Sequence, residues 1–320
     1  MISRNTPLPI TIIAGFLGSG KTTLVNHLLR NAGNQRLLIM VNDFGDIAID
    51  SDLIRDQNGD TLTLSNGCVC CSMGGDIYKA FDDALAFTPA PDQLVIEASG
   101  VAEPQQIANF GKAEPDLALN AIVTVVDAAN IQKTASDQHL TSVIDEQIRA
   151  AHLLLVNKTD CVAPDNLAEI TQYIKTLNKT AAILYTDRSN VSSDVIFGPN
   201  LELNSDKSRL PAITNRKHAE LFARCTLNIE KPLSVPHVQD MVSKMPQSVI
   251  RLKGIFCDAD DPNRVWSIHR VGQQVELSPL KHAHRTGINF GFVAIGLKGT
   301  FNEEQIQRKL DILQTKPEQH

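Results

Sequence analysis

Short apolar runs recur along the first two thirds of this chain, and the stretches between them space their apolar residues as helices do. Ile10, Ile12 and Ile13 lie in a β-branched run that reads as a buried strand. Leu24, Val25, Leu28 and Leu29 then mark the apolar face of a helix. Further strands are expected at Leu37–Val41, Gln93–Glu97, Ala121–Asp127, His152–Asn157 and Ala181–Tyr185. Helices are expected at Ile77–Phe87, Thr141–Ala151 and Asp165–Leu177, whereas Asp50–Leu64 is polar with scattered apolar positions. Strands alternating with helices predict an α/β fold, a doubly wound and mostly parallel sheet.

The pattern changes after residue 197. From Gly198 to Asn215 the chain turns to Pro, Asn, Asp, Ser and Lys, which reads as a linker. Beyond it come a strand at Leu221–Ile229, a helix at Val235–Met245 and strands at Val249–Cys257, Arg264–His269, Gln274–Leu277 and Phe290–Leu297. A helix at Asn302–Leu313 closes the series. This order predicts a small α+β domain with a largely antiparallel sheet. The expected division is residues 1–197, a linker at 198–215, and a second domain at 216–320.

Composition narrows the function classes. With 320 residues and a net charge of −6, the chain has room for two cores and lacks the basic footprint of a nucleic-acid binder. No run approaches the ~18 apolar residues needed to span a bilayer, and the N-terminus has no signal-peptide core. Neither nucleic acid nor membrane is therefore an expected partner. Three of the six cysteines, Cys68, Cys70 and Cys71, sit within four positions. That layout is poor for a disulfide framework and good for a metal or redox site, so a cytoplasmic location is expected.

The chemistry begins where the first strand ends. Gly15-Phe-Leu-Gly-Ser-Gly-Lys-Thr22 fits G-x-x-x-x-G-K-[ST] between a strand and a helix. Glycines there let backbone amides approach phosphate oxygens at the positive end of the helix. Gly15, Gly18, Ser19, Gly20 and Thr23 belong to this cradle. Lys21 can reach the β- and γ-phosphates and the Thr22 hydroxyl can ligate Mg²⁺. Glu97 closes its strand ahead of Ala98-Ser-Gly100, where a carboxylate can hold Mg²⁺ or orient the attacking water. Gly100 lets the backbone approach the γ-phosphate and move when it leaves. Asp127, closing the next strand, competes for that role, but Glu97 is preferred because a glycine-containing segment follows it. Asn157-Lys-Thr-Asp160 stands at the carboxyl end of a strand, where open α/β sheets bind ligands. A carboxylate at Asp160 can accept from the N1–H and exocyclic amine of guanine, a donor pair adenine lacks, so GTP is expected over ATP.

Thiolates packed as Cys68-Val-Cys-Cys71 select Zn²⁺ or Cu(I), and three neighbours cannot close a tetrahedron. The missing ligand could come from Asp46 or Asp43, from water or from a partner. A redox thiol pair or inert buried cysteines are the plainer readings. His282 and His284, flanked by Lys281 and Arg285, read as a solvated basic turn. Cys161, Cys225 and Cys257 read as ordinary thiols, and Trp266 as a core residue.

Taken in order, the phosphate loop, Asn42-Asp-Phe-Gly-Asp46, Gly67-Cys-Val-Cys-Cys71, the strand with Glu97 and Gly100, and Asn157–Asp160 resemble the CobW-type GTPases. These are P-loop metallochaperones related to the nickel-insertion GTPases of hydrogenase and urease maturation. Arg251-Leu-Lys-Gly-Ile and Val293-Ala-Ile-Gly-Leu are similar to that family's C-terminal domain. The resemblance implies GTP contacts at Gly18, Gly20, Lys21, Thr22, Thr23, Glu97, Asn157, Lys158 and Asp160. It implies metal ligation at the cysteine motif, Cys70 above all, and at Asp46. Where many members carry a further acid this chain has Val41, which shifts the site toward thiolates; a histidine-rich metal store is also missing.

The expected protein is a GTP-hydrolysing metallochaperone that carries Zn²⁺, with Co²⁺ or Ni²⁺ as alternatives, and delivers it to a client metalloprotein. A homodimer is left open. The competing expectations are a non-catalytic, metal-responsive GTP-binding regulator, a P-loop kinase acting on a small molecule, and a thiol redox protein.

Overall fold

A computed structural model describes residues 6–33, 35–41, 61–63, 75–198, 222–280 and 290–315. The chain divides into two compact units, residues 1–197 and 198–320. Apart from Gly198, the expected linker lies outside the described residues.

The first unit carries β1 (Leu8–Ala14), α1 (Lys21–Arg30), β2 (Leu37–Val41), β3 (Thr61–Thr63), α2 (Gly75–Ala86), β4 (Gln93–Glu97) and α3 (Pro104–Ala113). It continues with β5 (Leu117–Asp127), α4 (Ile131–Ala135), α5 (Thr141–Ala150), β6 (Leu153–Asn157), α6 (Pro164–Leu177), β7 (Ala182–Tyr185) and α7 (Ser193–Phe197). The described strands form one parallel sheet in the order β3-β2-β4-β1-β5-β6-β7. β1 stands at its centre, so the loop leaving β1 emerges at the carboxyl edge between the ends of β4 and β5. Every residue of β2, β4 and β6 is buried, as continuous apolar runs in a parallel sheet require. Ile10 and Ile12 pack with Ile77 and Phe81 of α2 and Ile107 of α3. Val126, Leu154 and Val156 pack with Ile144 and Ile148 of α5 and Ile170 and Ile174 of α6.

β5 begins four residues before the expected Ala121. Asn120 interrupts the apolar run, yet it is a buried sheet residue whose Nδ2 donates to Thr11 Oγ1 at 2.8 Å and to the Ile196 carbonyl at 3.3 Å. A buried amide satisfied in this way does not end a strand. The strand does carry an irregularity in its pairing with β1, between Ile10 and Thr11. β3 lies within the polar stretch Asp50–Leu64, where the pattern predicts no strand; it pairs Thr61–Thr63 with Ile39–Val41.

The second unit carries β8 (Phe222–Asn228), α8 (Val235–Ser243), β9 (Val249–Cys257), β10 (Val265–Val271), β11 (Gln274–Pro279), β12 (Gly291–Leu297) and α9 (Glu303–Thr315). Its strands form an antiparallel sheet in the order β11-β10-β9-β12-β8. Leu252, Phe256, Ile268, Phe292 and Ala294 cluster with Val238 and Val242 of α8 and Ile306 of α9. Alternation along the strands puts Arg251, Lys253 and His269 on the opposite face. Burial lowers the Arg251 guanidinium to about 9. His269 is held well below its usual value by burial, with Lys253 and Arg251 adding repulsion. Cys225 and Cys257 are buried and Cys161 is exposed; burial pushes the Cys225 thiol up to about 11. Trp266, expected in the core, is only partly buried. Its Nε1 donates to Asp258 Oδ2 at 3.1 Å, and Arg264 lies 4.8 Å over its ring.

Candidate nucleotide site

The loop between β1 and α1 has the backbone that its glycines allow. Gly15, Gly18 and Gly20 take φ of 136°, 72° and 110°, values that side chains disfavour. At Gly15 a Cβ would sit 2.2 Å from the Val125 carbonyl oxygen, and at Gly20 it would sit 2.5 Å from Asn157 Nδ2. The turn is therefore closed to any larger residue at both points. α1 has no acid in its first turn and carries His27 and Arg30 in its last, an arrangement that leaves its positive end available to an anion. Lys21 is buried and its Nζ donates to the Phe16 carbonyl at 3.3 Å, which folds the ammonium back across the loop. Ser19 Oγ is buried with no hydrogen-bond partner among the described residues. An orphaned hydroxyl inside a glycine cradle fits a phosphate oxygen.

Thr22 Oγ1 donates to Glu97 Oε1 at 2.7 Å. The register places Glu97 opposite Ile13 of β1 and Val41 of β2, so this carboxylate, 3% exposed, lies beside the phosphate loop. Asp127, its competitor, is engaged elsewhere. Its Oδ2 accepts from Lys158 Nζ at 2.7 Å and from Asn130 Nδ2 at 2.9 Å, and its Oδ1 caps the Ala129 N–H at 3.0 Å. Gly100 follows Glu97 at close quarters with the loop, since a Cβ there would meet Leu17 Cδ2 at 2.5 Å.

The four residues of the second motif take different positions. Asn157, buried, donates from Nδ2 to the Ser19 carbonyl at 2.9 Å and accepts the Ser189 N–H on Oδ1 at 2.8 Å. It braces the phosphate loop rather than presenting an amide to solvent. Lys158 has φ 60°, a left-handed backbone, and turns its ammonium to Asp127. Thr159–Cys161 form a single helical turn on which Asp160 is exposed.

The loop after β7 also reaches the site, although no motif marks it. Ser189 is fully buried, and its Oγ donates to the Gly20 carbonyl at 3.0 Å. Arg188 and Ser189 both have positive φ, of 53° and 52°. The adjacent Val191 carbonyl accepts from His27 Nε2 at 3.0 Å. Nothing in Thr186-Asp-Arg-Ser-Asn190 announces such a backbone. Cys68, Cys70, Cys71, Asp46, Asp43, His282 and His284 lie outside the described residues.

Two family models match this chain. Residues 9–185, more than half of it, match the CobW/HypB/UreG nucleotide-binding domain. The chain belongs to that family. Residues 222–313 match the cobalamin synthesis protein cobW C-terminal domain. This member of the CobW/HypB/UreG family is a P-loop GTPase. It is 28% identical over 244 residues to the zinc chaperone CobW of Sinorhizobium sp, covering 67% of each chain. It is 25% identical over 276 residues to the zinc chaperone YjiA of Escherichia coli, covering 81% of this chain and 85% of that one. It is 34% identical over 190 residues to zinc-regulated GTPase metalloprotein activator 1 of Schizosaccharomyces pombe. That match covers 56% of this chain but only 46% of the yeast protein.

Proposed function

We propose that the chain is a cytoplasmic metallochaperone in which GTP hydrolysis at the β1–α1 loop controls a Zn²⁺ cargo bound by Cys68, Cys70, Cys71 and Asp46. The observation that carries the nucleotide half is the Thr22–Glu97 pairing at the phosphate loop. A hydroxyl and a carboxylate side by side are hard oxygen donors of the kind Mg²⁺ takes beside substrate phosphates. Mg²⁺ held there would supply charge neutralisation for the β- and γ-phosphates. The chain's own residues do the rest. Backbone amides from Gly18 to Thr23 cradle the phosphates, Ser19 Oγ gives a further polar contact, and Lys21 moves from the Phe16 carbonyl onto the phosphate oxygens. Asp160 reads guanine, and Asn157 keeps the base and phosphate segments in register. Hydrolysis is in-line attack by water, with the γ-phosphoryl passing to that water and GDP leaving. Loss of the γ-phosphate releases the segment around Glu97 and Gly100.

The metal half rests on the C-x-C-C motif and on the zinc-named relatives. Thiolates with an incomplete ligand set suit a metal that is handed to a client protein. The test is Zn²⁺ affinity, by competition with a chromophoric chelator, in GTP, GDP and nucleotide-free states of the wild type and Cys70→Ala. Nucleotide-dependent affinity that Cys70→Ala removes is expected. Equal affinity in all three states would overturn the coupling, because a ligand with no differential affinity shifts no equilibrium.

A further inference from the structure

We propose that Gln147 is a positioning residue for GTP hydrolysis, tethering from α5 the segment that follows Glu97. The proposal rests on the nucleotide site described above and adds a residue that no motif contains. Gln147 is 2% exposed, and its Nε2 donates to the carbonyls of Gly100 and Ala102, both at 3.1 Å. One carboxamide thus spends both of its hydrogens on a single turn. The turn is closed locally by the Ala102 N–H, which donates to the Ser99 carbonyl at 3.1 Å. At its start the Ala98 N–H donates to the Ile13 carbonyl at 2.9 Å, and on its open side Gly100 abuts Leu17. Gln147 itself is fixed to β5, because its carbonyl accepts from Thr124 Oγ1 at 2.9 Å.

Packing alone does not call for an amide here. Ile144 and Ile148 on the same helix fill the core, and a cavity of about 340 Å³ adjoins Gln147 beside Phe16, Leu17 and the end of β5. An apolar side chain would bury at less cost than a carboxamide, which must be desolvated before its bonds repay it. What the amide adds is direction. A trans peptide sets its C=O and N–H antiparallel, so the Gly100 carbonyl held on Gln147 turns the Val101 N–H away from α5. With the tether in place the segment has one defined resting position. Without it the competent arrangement becomes a fraction of many, and the rate falls by that fraction.

The test uses the full chain with Gln147→Met, which keeps the volume and removes the donors, and Gln147→Glu. For Gln147→Met, kcat for GTP is expected to fall about ten- to hundredfold, the worth of two buried hydrogen bonds. GDP affinity should stay within about twofold, since GDP lacks the group this segment reads. Hydrogen exchange at residues 98–103 should quicken. In Gln147→Glu the carboxylate donates nothing and the protonated acid donates once, so its rate relative to wild type should climb as pH falls. Wild-type turnover in Gln147→Met, or GDP affinity falling in step with kcat, would overturn the proposal. If Gln147→Met does not fold, a Gln147→Glu profile parallel to that of wild type overturns it. A wild-type chain that fails to bind GDP or hydrolyse GTP would overturn the nucleotide site instead. The exchange comparison between nucleotide-free proteins would still decide the tether.

Discussion

Thr22 Oγ1 and Glu97 Oε1 stand 2.7 Å apart, which ties the first turn of α1 to the end of the neighbouring strand β4. The pair joins the residue that follows Lys21 to the residue that precedes Ala98-Ser-Gly100. Glu97→Gln keeps the shape and an acceptor oxygen but removes the charge. We expect kcat for GTP to fall about a hundredfold or more with GDP affinity nearly unchanged, the signature of a group that acts as charge develops. Steady-state phosphate release and calorimetric GDP binding check it; equal losses in both would place Glu97 in simple nucleotide binding.

Gly20→Ala is expected to abolish nucleotide binding and to destabilise the first unit by about 2 kcal/mol or more. The new methyl would stand 2.5 Å from Asn157 Nδ2 and 2.9 Å from Ser189 Oγ, on a backbone with φ 110°. Urea unfolding monitored by circular dichroism, together with GDP titration, measures both effects.

Asn157→Ala leaves the Ser19 carbonyl and the Ser189 N–H without their partner. A cost of about 2–3 kcal/mol in stability is expected, with GTP and GDP weakened equally. Ser189→Ala removes only the bond to the Gly20 carbonyl and should cost about 1 kcal/mol. Asp160→Ala differs from both: GTP affinity should fall about a hundredfold while ATP affinity stays unchanged, because only guanine loses a partner. Comparing the three variants by nucleotide titration separates bracing from base reading.

The second unit has its own pH dependence. His269 faces Lys253 and Arg251, with Glu276 opposite it on β11, and its pKa in the folded chain lies well below 6.5. In the unfolded chain it takes up a proton near pH 6.5 that the folded chain refuses. Stability is thus unaffected above that pH and falls as pH drops below it, by up to about 1.4 kcal/mol per pH unit. His269→Gln should flatten this slope in denaturant melts between pH 6.5 and 5. An unchanged slope would mean that other groups set it.

Much of this was legible in the residues. Continuous apolar runs specified the buried strands, and the phosphate loop and Asn157–Asp160 fall on the strand ends where the pattern put them. The two acids that the sequence leaves in competition have different partners: Glu97 accepts from Thr22, and Asp127 from Lys158 and the Ala129 N–H. Features held by side-chain hydrogen bonds were not legible. Asn120 looked like the edge of a strand because its amide is polar, and only the fold supplies Thr11 and the Ile196 carbonyl to satisfy it. Ser189 and Gln147 carry no periodicity and belong to no motif. Their partners lie far away in sequence, at Gly20 and at Gly100 and Ala102.

The bracing by Asn157 bears on how quickly nucleotide leaves. Its single side chain spans Ser19 in the β1–α1 loop and Ser189 in the loop after β7, so these two walls are tied to each other. An opening by that route must break at least one of these two bonds, and with it the bond from Ser189 Oγ to the Gly20 carbonyl.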